Sequence, residues 1–182
     1  PRHAPRQMRD QSSMVRPMHQ TSHVVPYVLA HVADLGDCPV NPANVAAGTY
    51  ATDAAHSMVG WQVNHLHFND YMGIFGDVAA TMTLDPANLG ATTLDATIPI
   101  ASVVLPSAGL RDHLMRAGRD GGAPDFFGPN PTPAHFVSTS VHQTGPTTAH
   151  IMGDLTMNGV TKPVTIQAEL VGMGTNGMSR KE

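Results

Sequence analysis

The sequence predicts an all-β, antiparallel fold that buries its dry faces as a sandwich or a closed barrel and carries one short helix. Three observations predict it. Apolar and polar residues alternate with period two in five separate stretches, the mark of strands with one dry and one wet face. Turn-forming residues separate these stretches. Charged residues are only 13% of the 182-residue chain, beside 17 Gly and 15 Pro. That balance suits short strands joined by turns better than long charged helices.

Taken in order, residues 1–44 read as a leader, disordered or not native to the domain, and residues 45–182 as the folded domain. Arg2, Arg6, Arg9 and Arg16 face Asp10 alone, and an apolar stretch follows from Val24 to Leu35. Basic, then apolar, then polar is the order of a secretory signal. Pro26, His31 and Asp34 break the apolar part, and Asp37 precedes Cys38 where a lipoprotein cleavage site needs a small residue. The single cysteine excludes an internal disulfide and a Cys-based zinc site. From Gly48 onward six basic residues stand against eleven acidic ones, so the domain offers no basic field for nucleic acid. No apolar run approaches the ~18 residues of a membrane span.

The strands follow. Val59, Trp61 and Val63 alternate with Gly60, Gln62 and Asn64. Tyr71–Leu84 reads as one long strand, with Met72, Ile74, Val78, Met82 and Leu84 on one side and Phe75 on the other. Gly73 and Gly76 within it suit a bent barrel strand. Leu94, Ala96, Ile98 and Ile100 form the next dry face, then Ala149, Ile151, Leu155 and Met157, then Val164, Ile166, Ala168 and Leu170. Turns are predicted at Phe68-Asn69-Asp70, Asp85–Asn88, Thr144-Gly145-Pro146 and Asn158-Gly159, the last being the strongest hairpin signal.

One helix interrupts the strands. Ser107 caps it, Leu110, Leu114 and Ala117 make its apolar stripe, Asp112 and Arg116 sit at i, i+4, and Gly118 ends it. A Gly- and Pro-rich loop to Pro133 carries Asp125-Phe126-Phe127, whose adjacent aromatics suit the cap of one end of the sheet core. A barrel of about eight strands has room for one small ligand.

The residues Gly48-Thr-Tyr50, Asp53-Ala-Ala-His56-Ser and Val59-Gly-Trp61-Gln-Val63-Asn-His65 resemble the opening of the YceI family. In order come Gly73-Ile-Phe75-Gly, Leu84-Asp85-Pro86-Ala87, Leu110…His113-Leu114, Asp125-Phe126-Phe127 with Pro133…Phe136-Val-Ser-Thr, and Gly153-Asp-Leu155-Thr-Met-Asn-Gly159-Val-Thr161-Lys-Pro163-Val. The resemblance covers residues 45–178 or so. It implies a lipocalin-like antiparallel barrel of about eight strands with a helix near one end. It further implies a periplasmic or secreted protein that binds a polyisoprenoid or isoprenoid-quinone-type lipid in an elongated apolar pocket, with no cofactor and no catalysis. Residues 118–124 read as an insertion at the pocket rim. The chain stops at Glu182, where the family continues with strands that complete the barrel, so the domain reads as incomplete.

The residues expected to line the pocket are Val59, Trp61, Val63, Phe75, Ile98 and Phe136, with Phe126 and Phe127 at one end. Methionines such as Met82 and Met157 suit a lining that adapts to ligand shape. Membrane electron-transfer proteins are plausible partners for a quinone-type carrier. Two other readings stand beside this one. His65-Leu-His67 puts two imidazoles on one side of a strand, a pair of metal ligands in a secreted metal-binding protein. A β-sandwich structural or adhesion module would need no cavity. No nucleophile elbow, phosphate loop or dinucleotide fingerprint is present, which argues against an enzyme.

Overall fold

The computed structural model describes residues 41–173 together with the two-residue strand Tyr27–Val28. In chain order the strands are β1 (Tyr27–Val28), β2 (Gly48–Ala51), β3 (Val59–His65), β4 (Asn69–Phe75), β5 (Ala79–Leu84), β6 (Thr93–Ile98), β7 (Val103–Val104), β8 (Ala134–Gln143), β9 (Thr148–Met157) and β10 (Val160–Glu169), with one α-helix, α1 (Ala108–Met115). All strand pairs are antiparallel. The smaller sheet has the order β1-β3-β4-β7 and the larger β10-β9-β8-β6-β5-β2. Among the described residues the all-β expectation and the single helix both hold. From within residues 1–44, β1 pairs with Val59 and Gly60 of β3. The rest of the leader, and the turn expected after Thr175, lie outside the described residues.

The stretch expected as one strand, Tyr71–Leu84, is two strands in two sheets. Gly76, Asp77 and Val78 separate β4 from β5, and Asp77 has φ 53°. The insert reverses the facing of the strand. Phe75 and Val78 are both buried, while Met72 and Ile74 face outward and Val78, Met82 and Leu84 inward. The expected single parity therefore holds after the kink and is inverted before it. A bulge in β8 does the same. Ser138 pairs with Gly153 and Ser140 with Met152, leaving Thr139 unpaired, so Phe136 and Val141 both point inward despite their opposite parity.

Turns account for the connections. Asn158 and Gly159 both have positive φ, and Met157 pairs with Val160 across them, the tight hairpin that the sequence announces. The turn between β3 and β4 falls earlier than expected. Its central residues are Leu66 and His67, at φ 54° and 62°, and Phe68 N–H donates to the His65 carbonyl at 3.0 Å. Asn64 stabilises this placement: its Oδ1 accepts from His67 N at 2.8 Å and its Nδ2 donates to Asp70 at 3.0 Å.

The core has two parts. Phe75, Ile100, Val103 and Ala134 form one, joined by Trp61, Ile98, Leu105, Met115, Phe127, Leu155 and Met157, so both sheets, the helix and the Asp-Phe-Phe loop meet there. Phe136, Val141 and Ile151 form the other, within the larger sheet. Leu155 packs on both and makes them continuous. Among the described residues the two sheets are not joined by a ladder into a closed barrel. At the edge of the larger sheet, β10 presents Lys162, Pro163 and Glu169, residues that discourage further strand pairing.

Candidate ligand-binding site

The inner surface is mostly apolar because most inward positions are. Among the described residues the buried polar side chains are Ser57 and Thr92, and no charged side chain is buried. The most structured part of this surface is aromatic. Register puts Trp61 opposite Gly73 and Tyr71 opposite Val63, so Trp61, Tyr71, Gly73 and Phe75 share one face of the β3–β4 hairpin. The Trp61 ring lies 6.4 Å from Tyr71 at 28° and 6.2 Å from Phe75 at 34°. Gly73 is required by close approach: a Cβ there would overlap the indole. The Trp61 Nε1–H and the Tyr71 hydroxyl are buried without a hydrogen-bond partner among the described residues.

One end of this surface is closed by α1 and the loop after it. Ser107 Oγ accepts from Leu110 N at 3.2 Å, as its cap position requires. The helix stops at Met115 rather than Gly118, and Ala117 is exposed. The reason is tertiary: the Leu114 carbonyl accepts from Phe127 N and Gly128 N, both at 3.1 Å. Arg116 does not pair with Asp112 as the i, i+4 spacing predicts. Its guanidinium donates instead to Asp125 at 2.6 Å, and His113 Nε2 meets the same carboxylate oxygen at 3.1 Å. Arg116 and then His113 hold the Asp125 carboxyl below its ordinary value of 3.8. This clamp turns Phe127 into the core and leaves Phe126 against the edge of the His113 ring, 5.2 Å away.

A folded-state pKa that is lowered stabilises the clamp above the ordinary aspartate value, and that contribution is lost as pH falls through the lowered one. Asp125→Asn is expected to reproduce the loss at neutral pH. Protection of the Phe127 and Gly128 amides, taken relative to their intrinsic exchange rate at the same pH, should fall in the variant, and in the wild type only under acid conditions. Unchanged protection in both cases would show that the backbone bonds to Leu114 suffice.

The expected lining residues divide. Trp61, Phe75, Ile98 and Phe127 come together in one cluster, and Phe136 anchors the neighbouring one. Val59 is buried at the start of β3. Val63 is 52% exposed, because burial fades along β3 toward the hairpin tip, and Phe126 is 46% exposed, because the adjacent Phe127 takes the inward position. Sequence reasoning missed Tyr71, although it shares the parity of Phe75; assigning that strand's dry face to Met72 and Ile74 hid it. A depression of 310 Å³ over the β8 bulge, lined among others by Ser140, Met152 and Val164, includes none of the expected residues.

The histidine pair separates too. His65 ends β3, whereas His67 lies in the turn, so they are not two residues apart on one strand face. Among the described residues no group of three His, Cys, Asp or Glu side chains could hold a metal ion. His56 Nδ1 lies 2.7 Å from Asp53, whose other oxygen accepts from Ala55 N at 3.1 Å. That is a local cap of the turn before β3. The His56 contact, then the Ala55 amide, lower the Asp53 pKa.

Comparison with known proteins agrees with this architecture. The chain is 35% identical over 143 residues to a UPF0312 protein of Pseudomonas putida strain GB-1, covering 77% of this chain and 71% of that protein. It is 37% identical over 134 residues to the protein YceI of Shigella flexneri, covering 72% and 66% respectively. Among solved structures it is similar to a Campylobacter jejuni YceI protein, with a TM-score of 0.50, 30% identity and coverage of 71% and 72%. It also resembles Burkholderia cenocepacia BcnA in fold, with a TM-score of 0.52, 24% identity and coverage of 64% and 69%. Residues 50–181 match the YceI-like domain, and this chain belongs to the YceI family.

Proposed function

We propose that this protein binds a polyisoprenoid or isoprenoid-quinone-type lipid between its sheets and acts in the periplasm, or after secretion, as a carrier or store, without bond chemistry. The observation that carries the reading is the inner surface itself: aromatic and aliphatic side chains from both sheets, with no buried charge among the described residues. An isoprenoid tail is nearly pure hydrocarbon, and each buried methylene contributes about 0.8 kcal/mol. Enclosing several units therefore offsets the cost of ordering the tail, provided the walls carry no charge to desolvate. Family membership supports the same reading, since the resemblance implies such a ligand. The quinone-type headgroup and exchange with membrane electron-transfer proteins belong to this proposal. Titration of the full chain with a fluorescent polyisoprenoid tests it. Saturable uptake, displaced by an unlabelled isoprenoid, is expected; a flat titration would reject it.

A further inference from the structure

We propose that Trp61 and Tyr71 form a polar recognition point for a neutral acceptor oxygen of the ligand, of the ring-carbonyl type, within the otherwise apolar site. The inference rests on the lipid reading above and names the chemistry of the ligand's polar end.

The argument starts from two buried donors. The indole N–H of Trp61 can only donate, and a phenol donates readily. Both atoms are buried with no partner among the described residues. Buried polar groups are ordinarily paired, so two orphans on one face of a hairpin call for an explanation. They are neighbours by construction: both side chains stand on the inward face of the β3–β4 hairpin, with rings stacked 6.4 Å apart. The nearest polar pair on the hairpin, Asn64 and Asp70, lies on its opposite face and is bonded to itself at 3.0 Å.

Charge decides which headgroup fits. β3 and β4 carry no Lys or Arg, so these two strands offer a diphosphate no counter-ion; the nearby Arg111 of α1 donates to the Val103 carbonyl at 3.3 Å. A neutral carbonyl oxygen asks only for the donors that are present, and the flat ring bearing it can lie along the stacked aromatics. The packing that creates the site also explains Gly73, whose lack of a side chain lets the indole lie across the hairpin.

Trp61 is the only tryptophan of the chain, so its fluorescence reports contact directly. The full chain is titrated with a short-chain ubiquinone, with squalene and with geranylgeranyl diphosphate, each also measured by displacement of a fluorescent polyisoprenoid. The quinone should quench Trp61 and bind more tightly than squalene or the diphosphate. Tyr71→Phe, which removes one oxygen and keeps the ring, should weaken quinone binding about three- to tenfold and leave squalene unchanged. Equal binding of quinone and squalene by the wild type overturns the recognition point while the lipid reading stands. So does a Tyr71→Phe variant that binds quinone unchanged, as it would if the donors merely hold water, or one that weakens both ligands alike. Tightest binding by the diphosphate overturns it as well. Failure of all three probes to bind removes the lipid reading and this inference together.

Discussion

Phe136→Ala is expected to cost about 3–5 kcal/mol of folding stability. Phe136 is only 3% exposed and anchors the cluster that it forms with Val141 and Ile151. Leu94 and Ala96 of β6 and Leu155 of β9 pack against that cluster. Its ring also fills the space over Gly153, where any side chain would collide with it and with the Val137 carbonyl. Truncation leaves a cavity walled by rigid strands, and little can move in to fill it. A domain of this size has a total stability of about 5–15 kcal/mol, so the variant should unfold at a much lower urea concentration. A loss below about 1 kcal/mol would mean that Phe136 does not anchor the larger sheet.

Gly73→Val should damage the aromatic face where Gly60→Val does not. A Cβ at Gly73 would overlap Cζ2 and Cε2 of the Trp61 indole, whereas a Cβ at Gly60 meets nothing within 4 Å. The indole must rotate away from Tyr71 and Phe75, at a cost of about 1–3 kcal/mol or more. Gly60→Val gains strand propensity without a clash. The measurement pairs urea denaturation with the Trp61 emission maximum. Gly73→Val is expected to lower the midpoint and shift emission to the red as the indole meets water; Gly60→Val is expected to do neither. Equal behaviour of the two variants would contradict the placement of Trp61 across Gly73.

Much of this architecture was legible in the sequence because alternation and turn chemistry are local. The dry faces of β6, β9 and β10 emerge at the residues the pattern names, and Asn158-Gly159 makes its hairpin. What escaped depends on single residues that flip the facing of a strand. Asp77 takes a positive φ without being glycine, and Thr139 has ordinary strand propensity while standing as a bulge. Neither leaves a mark in the period-two pattern. Competition between partners hid the rest. Arg116 has a helical neighbour of opposite charge in Asp112, yet it bonds to Asp125 across a loop, and only the fold brings those two together. The candidate site was half legible for the same reason. Trp61 and Ile98 follow from alternation, whereas Tyr71 required the true facing of β4.

The proposed function makes the apolar interior a lipid site rather than ordinary core. Mass spectrometry of lipid extracted from the full chain, purified natively from cells that make isoprenoid lipids, tests that claim most directly. An isoprenoid lipid is expected at near-stoichiometric yield, enriched in species with a neutral oxygenated ring. Protein that emerges without any isoprenoid, and that takes none up when it is supplied, would contradict it.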